Sequence, residues 1–136
     1  MTVVVWIFAM VTAVVHITAF AWETLLFQRA GVHQGVFAIP ADDVRPVRLW
    51  AFNVGFYNLF IACGLVGGVL AWMTGNEAAG QALVIYLCLF TFLAGLVLFV
   101  SDRLALSRPR GTGVGGALAQ GVPPLVALLA ALLQPT

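Results

Sequence analysis

Hydrophobic residues fall into four runs, each close to the length that a bilayer demands, about 20 helical residues for roughly 30 Å of hydrocarbon. They cover residues 3–27, 47–73, 78–100 and 113–133. Turn and charge signals divide them: Arg29-Ala-Gly31 through Arg48, Thr74-Gly-Asn-Glu77, and Ser101-Asp-Arg103 through Gly111. None alternates apolar with polar residues as a membrane-barrel strand must, so all four are read as helices. The second helix is expected to begin ahead of its apolar run. Pro40 suits a first helical position, and Asp42 and Asp43 would sit at the positive end of the helix dipole. The pattern predicts an all-α integral membrane protein. It forms one domain over residues 1–136, an antiparallel bundle of four transmembrane helices at about 3–27, 42–73, 78–103 and 113–133.

Composition narrows the solvent. The chain is 62% hydrophobic and only 8% charged, against about 25% charged in ordinary soluble domains, so lipid must face most of the exterior. A net charge of +1 offers no footprint for nucleic acid, and so apolar a chain is not disordered. All six basic side chains are arginines: Arg29, Arg45 and Arg48 between runs one and two, and Arg103, Arg108 and Arg110 between runs three and four. The link between runs two and three has none. By the positive-inside rule both arginine-rich loops are cytoplasmic, and both termini lie outside. Ala19-Phe-Ala21 has the spacing of a signal-peptide cleavage site, but the run lacks a basic leader and is long, so it is read as an uncleaved span. Trp6, Trp22, Trp50 and Trp72 stand near span ends and are read as interfacial anchors.

Polar side chains within the spans are the candidates for chemistry, because hydrocarbon offers them no partner. They are Thr12, His16 and Glu23 in the first span, Asn53, Tyr57 and Asn58 in the second, Tyr86 and Thr91 in the third, and Gln120 in the fourth. For two antiparallel spans, residues whose numbers add to about 75 lie level. Glu23 then shares a depth with Asn53, and His16 with Tyr57 and Asn58, in the cytoplasmic half. His16 and Glu23, seven apart, share a stripe with Thr12; Asn53 and Tyr57, four apart, share another, while Asn58 lies well round the helix. The candidate ligand-binding set is His16, Glu23, Asn53, Tyr57, Asn58 and Gln120. Glu23 has a second reading, snorkelling outward or pairing with Arg29 or Arg48, and the amides and tyrosine have one as interhelical glue. No catalytic residue, cofactor or metal is indicated. His16 and His33 alone are too few for zinc, and no Ser-His-Asp set is visible. Cys63 and Cys88 are read as packing residues, and Gly64-x-x-x-Gly68 as a surface for close helix approach. Gly111-x-Gly113-x-x-Gly116 lacks the strand that a dinucleotide fingerprint needs. Pro123 and Pro124 free the carbonyls of residues 119 and 120, and a kink there would widen a cavity beside Gln120.

His16 with Glu23, Asn53-Val-Gly-Phe-Tyr57-Asn58 followed by Ala62-Cys-Gly64, and Gln120-x-x-Pro123 with Leu125-Val-Ala-Leu128 resemble the motifs of the small four-span membrane proteins called DUF1304. The resemblance covers nearly the whole chain. The family more often has Gln where Val54 stands and a small residue where Pro124 stands. It implies a multi-pass protein of the bacterial inner membrane and supplies no reaction. Three functions follow as expectations: a protein that binds or transports a small molecule, with proton exchange through Glu23 and His16; a membrane-embedded acid–base enzyme acting on a lipid-soluble substrate; or an accessory subunit of a larger membrane complex. The expected partners are the bilayer, a small or lipid-like ligand, and a homo-oligomer or complex.

Overall fold

The computed structural model describes residues 1–106 and 108–133. Five helices, α1 (Thr2–Phe20), α2 (Ala30–His33), α3 (Val44–Met73), α4 (Glu77–Arg103) and α5 (Val114–Leu132), occur without a strand among the described residues. Four of them, α1 with its extension to Leu25, α3 with the 3-10 turn Ala41–Asp43 ahead of it, α4 and α5, are long and apolar enough to cross a membrane. The turn before α3 carries Asp42 and Asp43 directly after Pro40, where the proline and the acids place a helix start.

Two features depart from the expected pattern. The first helix does not run unbroken to residue 27. At Ala21–Leu25 it widens into a π-helical turn, closed by the Leu26 N–H to the Ala21 carbonyl at 2.9 Å, five residues back. The long loop holds the one-turn helix α2, whose His33 is buried and hydrogen-bonds through Nδ1 to the Ile39 carbonyl at 2.8 Å. Phe27 packs on Phe37, centroids 5.9 Å apart, and folds this loop back on the end of the first helix.

The long helices pack as a ring in which α1 lies against α3 and α5, α4 lies against the same two, and α1 and α4 scarcely meet across the diagonal. Sequential neighbours run antiparallel: Trp6 meets Trp72, His16 meets Asn58 and Thr24 meets Phe52. Each helix turns inward a stripe spaced alternately by three and four residues, the geometry of shallow-angle helix packing. On α3 it runs through Gly55, Asn58, Ala62, Leu65, Val69 and Trp72, and on α1 through Val5, Ala9, Thr12 and His16. Large apolar side chains such as Ile7, Phe60, Leu70 and Val97 face outward instead. Small groups inside and large apolar groups outside reverse the order of a water-soluble domain.

Close backbone contact holds the ring together. A Cβ on Gly80 of α4 would collide with the backbone of Trp72 and Gly68 on α3. One on Gly95 would stand 2.9 Å from the Cα of Gly121 on α5. The Gly64–Gly68 pair does face α4, against Leu87 and Val84. Cys63 is exposed while Cys88 is buried, so they stand on different faces of the packing. The tryptophans divide. Trp50 and Trp22 are exposed, but Trp72 is only 6% exposed and makes an edge-on contact with half-buried Trp6, centroids 6.1 Å apart. The inward stripe of α3 passes through position 72, so Trp72 is a packing residue rather than an anchor.

Replacing Gly80 or Gly95 by valine forces two backbones apart and is expected to cost about 1–3 kcal/mol. Gly67→Ala, with open space around the new methyl group, is expected to leave stability within about 0.5 kcal/mol. Unfolding midpoints in detergent micelles for the three variants check this.

Candidate functional site

The two buried threonines inside the ring are closed within their own helices. Thr12 Oγ1 donates to the Phe8 carbonyl at 2.8 Å, and Thr91 Oγ1 to the Leu87 and Cys88 carbonyls at 2.9 and 3.1 Å. This is the usual recourse of a hydroxyl with no solvent beside it. His16 reaches across to a neighbour. Its Nδ1 lies 2.6 Å from Asn58 Oδ1, and Asn58 Nδ2 donates to Glu23 Oε2 at 2.7 Å. One amide of α3 therefore ties together two residues that stand two turns apart on the first helix. The π-helical turn sets the direction of Glu23 within this linkage. His16 Nε2 is buried and has no partner among the described residues.

Beside this linkage lies a cleft of about 800 Å³ between the end of the first helix and the start of α5. Gly113 and, on the first turns of α5, Gly115, Gly116 and Ala119 line it there, and none carries a side chain large enough to bridge to α1. His16, Glu23 and Asn58 line it from one side and Gln120 from the other, with Val14, Val15, Trp22 and Val54 adding apolar walls. Gly35, Val36 and Phe37 of the first loop and Arg108 of the second border it. α5 runs on through Pro123 and Pro124. Because proline has no N–H, the carbonyls of Ala119 and Gln120 lack their usual helical donors in the cleft wall.

Of the six candidate residues, the structure brings four to this cleft. Asn53 and Tyr57 are absent from its lining; both are exposed, Tyr57 to 56%. The inward stripe of α3 passes through Gly55 and Asn58, which turns positions 53 and 57 to the outside. Gly55 allows the close approach, since a Cβ there would strike Thr24. Glu23 forms no ion pair with Arg29 or Arg48. With the Gln28 amide turned so that its oxygen faces Arg48, that oxygen accepts from the guanidinium at 2.8–3.0 Å. Glu23 also borders a second cavity of about 300 Å³, shared with Gln28, Arg29 and Arg48.

Two residues that sequence reasoning passed over shape the mouth. Asp102, buried at the end of α4, accepts the backbone N–H groups of Gly111 at 2.8 Å and Gly113 at 2.7 Å, and it pairs with Arg103. It thereby holds the segment that carries Arg108 and caps the start of α5. A signal existed: an acid in the last turn of a helix opposes the dipole and calls for a tertiary partner. Arg108 borders the cleft and makes no ion pair among the described residues. No cluster of three His, Cys, Asp or Glu side chains suited to a metal occurs among those residues.

The family model described as "Protein of unknown function (DUF1304)" matches residues 10–132, nearly the whole chain, so the chain belongs to that family. No curated protein and no solved structure matches it.

Removing the amide that joins His16 to Glu23 leaves buried His16 and half-buried Glu23 without their partner, so Asn58→Ala is expected to cost about 1–3 kcal/mol. Asn53→Ala, on the outer face, is expected to change stability by less than about 0.5 kcal/mol. Unfolding curves for the two variants in the same detergent separate the faces of α3.

Proposed function

We propose that this DUF1304 protein is a multi-pass protein of the bacterial inner membrane that binds a small molecule in the cleft between the first helix and α5, and moves it with exchange of a proton. The observation that carries this reading is the hydrogen-bonded line from His16 through Asn58 to Glu23, set in the wall of an open cleft. Ionisable groups inside a span are costly and mark ligand or proton paths more often than packing. Glu23 can hold or release a proton at the carboxylate, and Asn58 transmits the change in charge to the orientation of His16.

The arginines support an orientation. All six lie on, or within two turns of, the two loops that border the cleft, so the mouth opens to the cytoplasm and both termini lie outside. With one orientation fixed, a homo-oligomer of this chain would be parallel. A second reading, an acid–base enzyme acting on a lipid-soluble substrate, draws on the unpartnered His16 Nε2 as a base. An accessory subunit with its polar groups sealed against one another fits less well, because an open cleft lies beside them.

Cysteine substituted at Gly75 in a Cys63→Ser background is expected to react with a membrane-impermeant maleimide on intact spheroplasts, and cysteine substituted at Arg110 only after lysis. The reverse pattern refutes the orientation. In proteoliposomes tested against a panel of neutral and cationic amphiphiles, Glu23→Gln is expected to slow proton-linked uptake at least about tenfold. Identical uptake by the variant and the unaltered protein would end the transport reading. Conversion of a lipid-soluble panel member to an isomer by the unaltered protein, lost in His16→Gln, would favour the enzyme.

A further inference from the structure

The hydrogen bonds around Asn58 decide which protons His16 carries. With Glu23 ionised, its carboxylate only accepts, so the amide turns Nδ2 to Glu23, and its Oδ1 then faces the imidazole. An amide oxygen also only accepts, so His16 Nδ1 must be the donor across the 2.6 Å contact. In the neutral ring this leaves Nε2 as a bare acceptor. That nitrogen is buried and has no donor among the described residues, while His16 itself forms part of the cleft wall. A buried acceptor without a donor is costly, and a hydrogen-bond donor on an occupant relieves the cost.

Other lining residues can accept as well: Glu23 contributes a carboxylate, and Ala119 and Gln120 have carbonyls without their helical donors, while Gln120 and Arg108 also offer N–H groups. Formal charge is balanced by one glutamate and one arginine, Arg108. The remaining lining is mainly aliphatic, aromatic or glycine, and Val14 on the rim is 58% exposed on the outer surface of the helices. At about 800 Å³ the cleft has the size of a site for one small amphiphile.

We infer that the cleft takes an uncharged amphiphile, a lipid-soluble alcohol, phenol or amide, whose O–H or N–H donates to His16 Nε2. The inference rests on the ligand-binding reading above and adds the class of ligand. Asn58 acts as a positioning residue, since it fixes the imidazole tautomer.

The test uses the full chain in nanodiscs with 15N-labelled histidine, the two histidines being assigned by sequential backbone correlations. Three probes of similar apolar body are titrated: p-octylphenol, its methyl ether, and octyltrimethylammonium. His16 is expected to show a protonated Nδ1 and an unprotonated Nε2. The phenol is expected to shift the Nε2 resonance saturably, with the ether and the ammonium at least about tenfold weaker. In Asn58→Leu the two tautomers are expected to mix and the preference for phenol over ether to shrink. Equal affinity for the ether, tighter binding of the ammonium, or a proton on Nε2 in the free protein overturns the inference while leaving a ligand-binding cleft standing. If no probe shifts His16 or any other cleft residue, both the inference and the reading beneath it fall.

Discussion

Helix backbones in this protein touch because the residues between them are too small to keep them apart. With lipid as the outer solvent proposed above, apolar side chains gain little by turning inward, and what remains to hold helices together is close packing and internal hydrogen bonding. Gly80 against the backbone of Trp72 and Gly95 against Gly121 are contacts of this kind, and Gly55 makes room in the same way for the Thr24 side chain. The cleft is the counterpart of the same rule. Where the start of α5 offers glycine and alanine but α1 does not close on it, the small residues leave space instead of contact.

The same shortage of partners governs the polar groups. Threonines at 12 and 91 turn back on their own helices, a solution open to a hydroxyl but not to an imidazole or a carboxylate. His16 and Glu23 are served by a single side chain with a donor at one end and an acceptor at the other. An amide between an acid and an imidazole keeps both in register while holding them apart, so the two do not collapse into an ion pair. Asp102 applies the same economy to backbone, meeting two N–H groups of the chain that leads into α5.

Much of this was legible in the chain itself. Apolar run lengths located the four long helices, and counting residues along antiparallel spans put His16 level with Asn58, as their contact has it. Depth follows from a fixed rise per residue and needs no knowledge of neighbours. Facing is harder, because it depends on which stripe the partner helices accept. Asn53 and Tyr57 share a stripe by spacing, yet the small residues Gly55, Ala62 and Gly68 mark the side that α3 turns inward, and Asn58 belongs with them. The π-helical turn at Ala21–Leu25 had no sequence signal at all, and Asp102 was hidden by looking like an ordinary boundary charge.

That widened turn carries a geometric consequence for the acid within it. A helix with one surplus residue in a turn can shed the surplus by regular winding, and everything on one side of it then revolves by about 100° relative to the other. Glu23 sits inside the wide turn while His16 sits on the regular helix before it. Rewinding would swing the carboxylate off the amide without displacing the imidazole, so the continuity of the hydrogen-bonded line is tied to how many residues one coil of backbone contains.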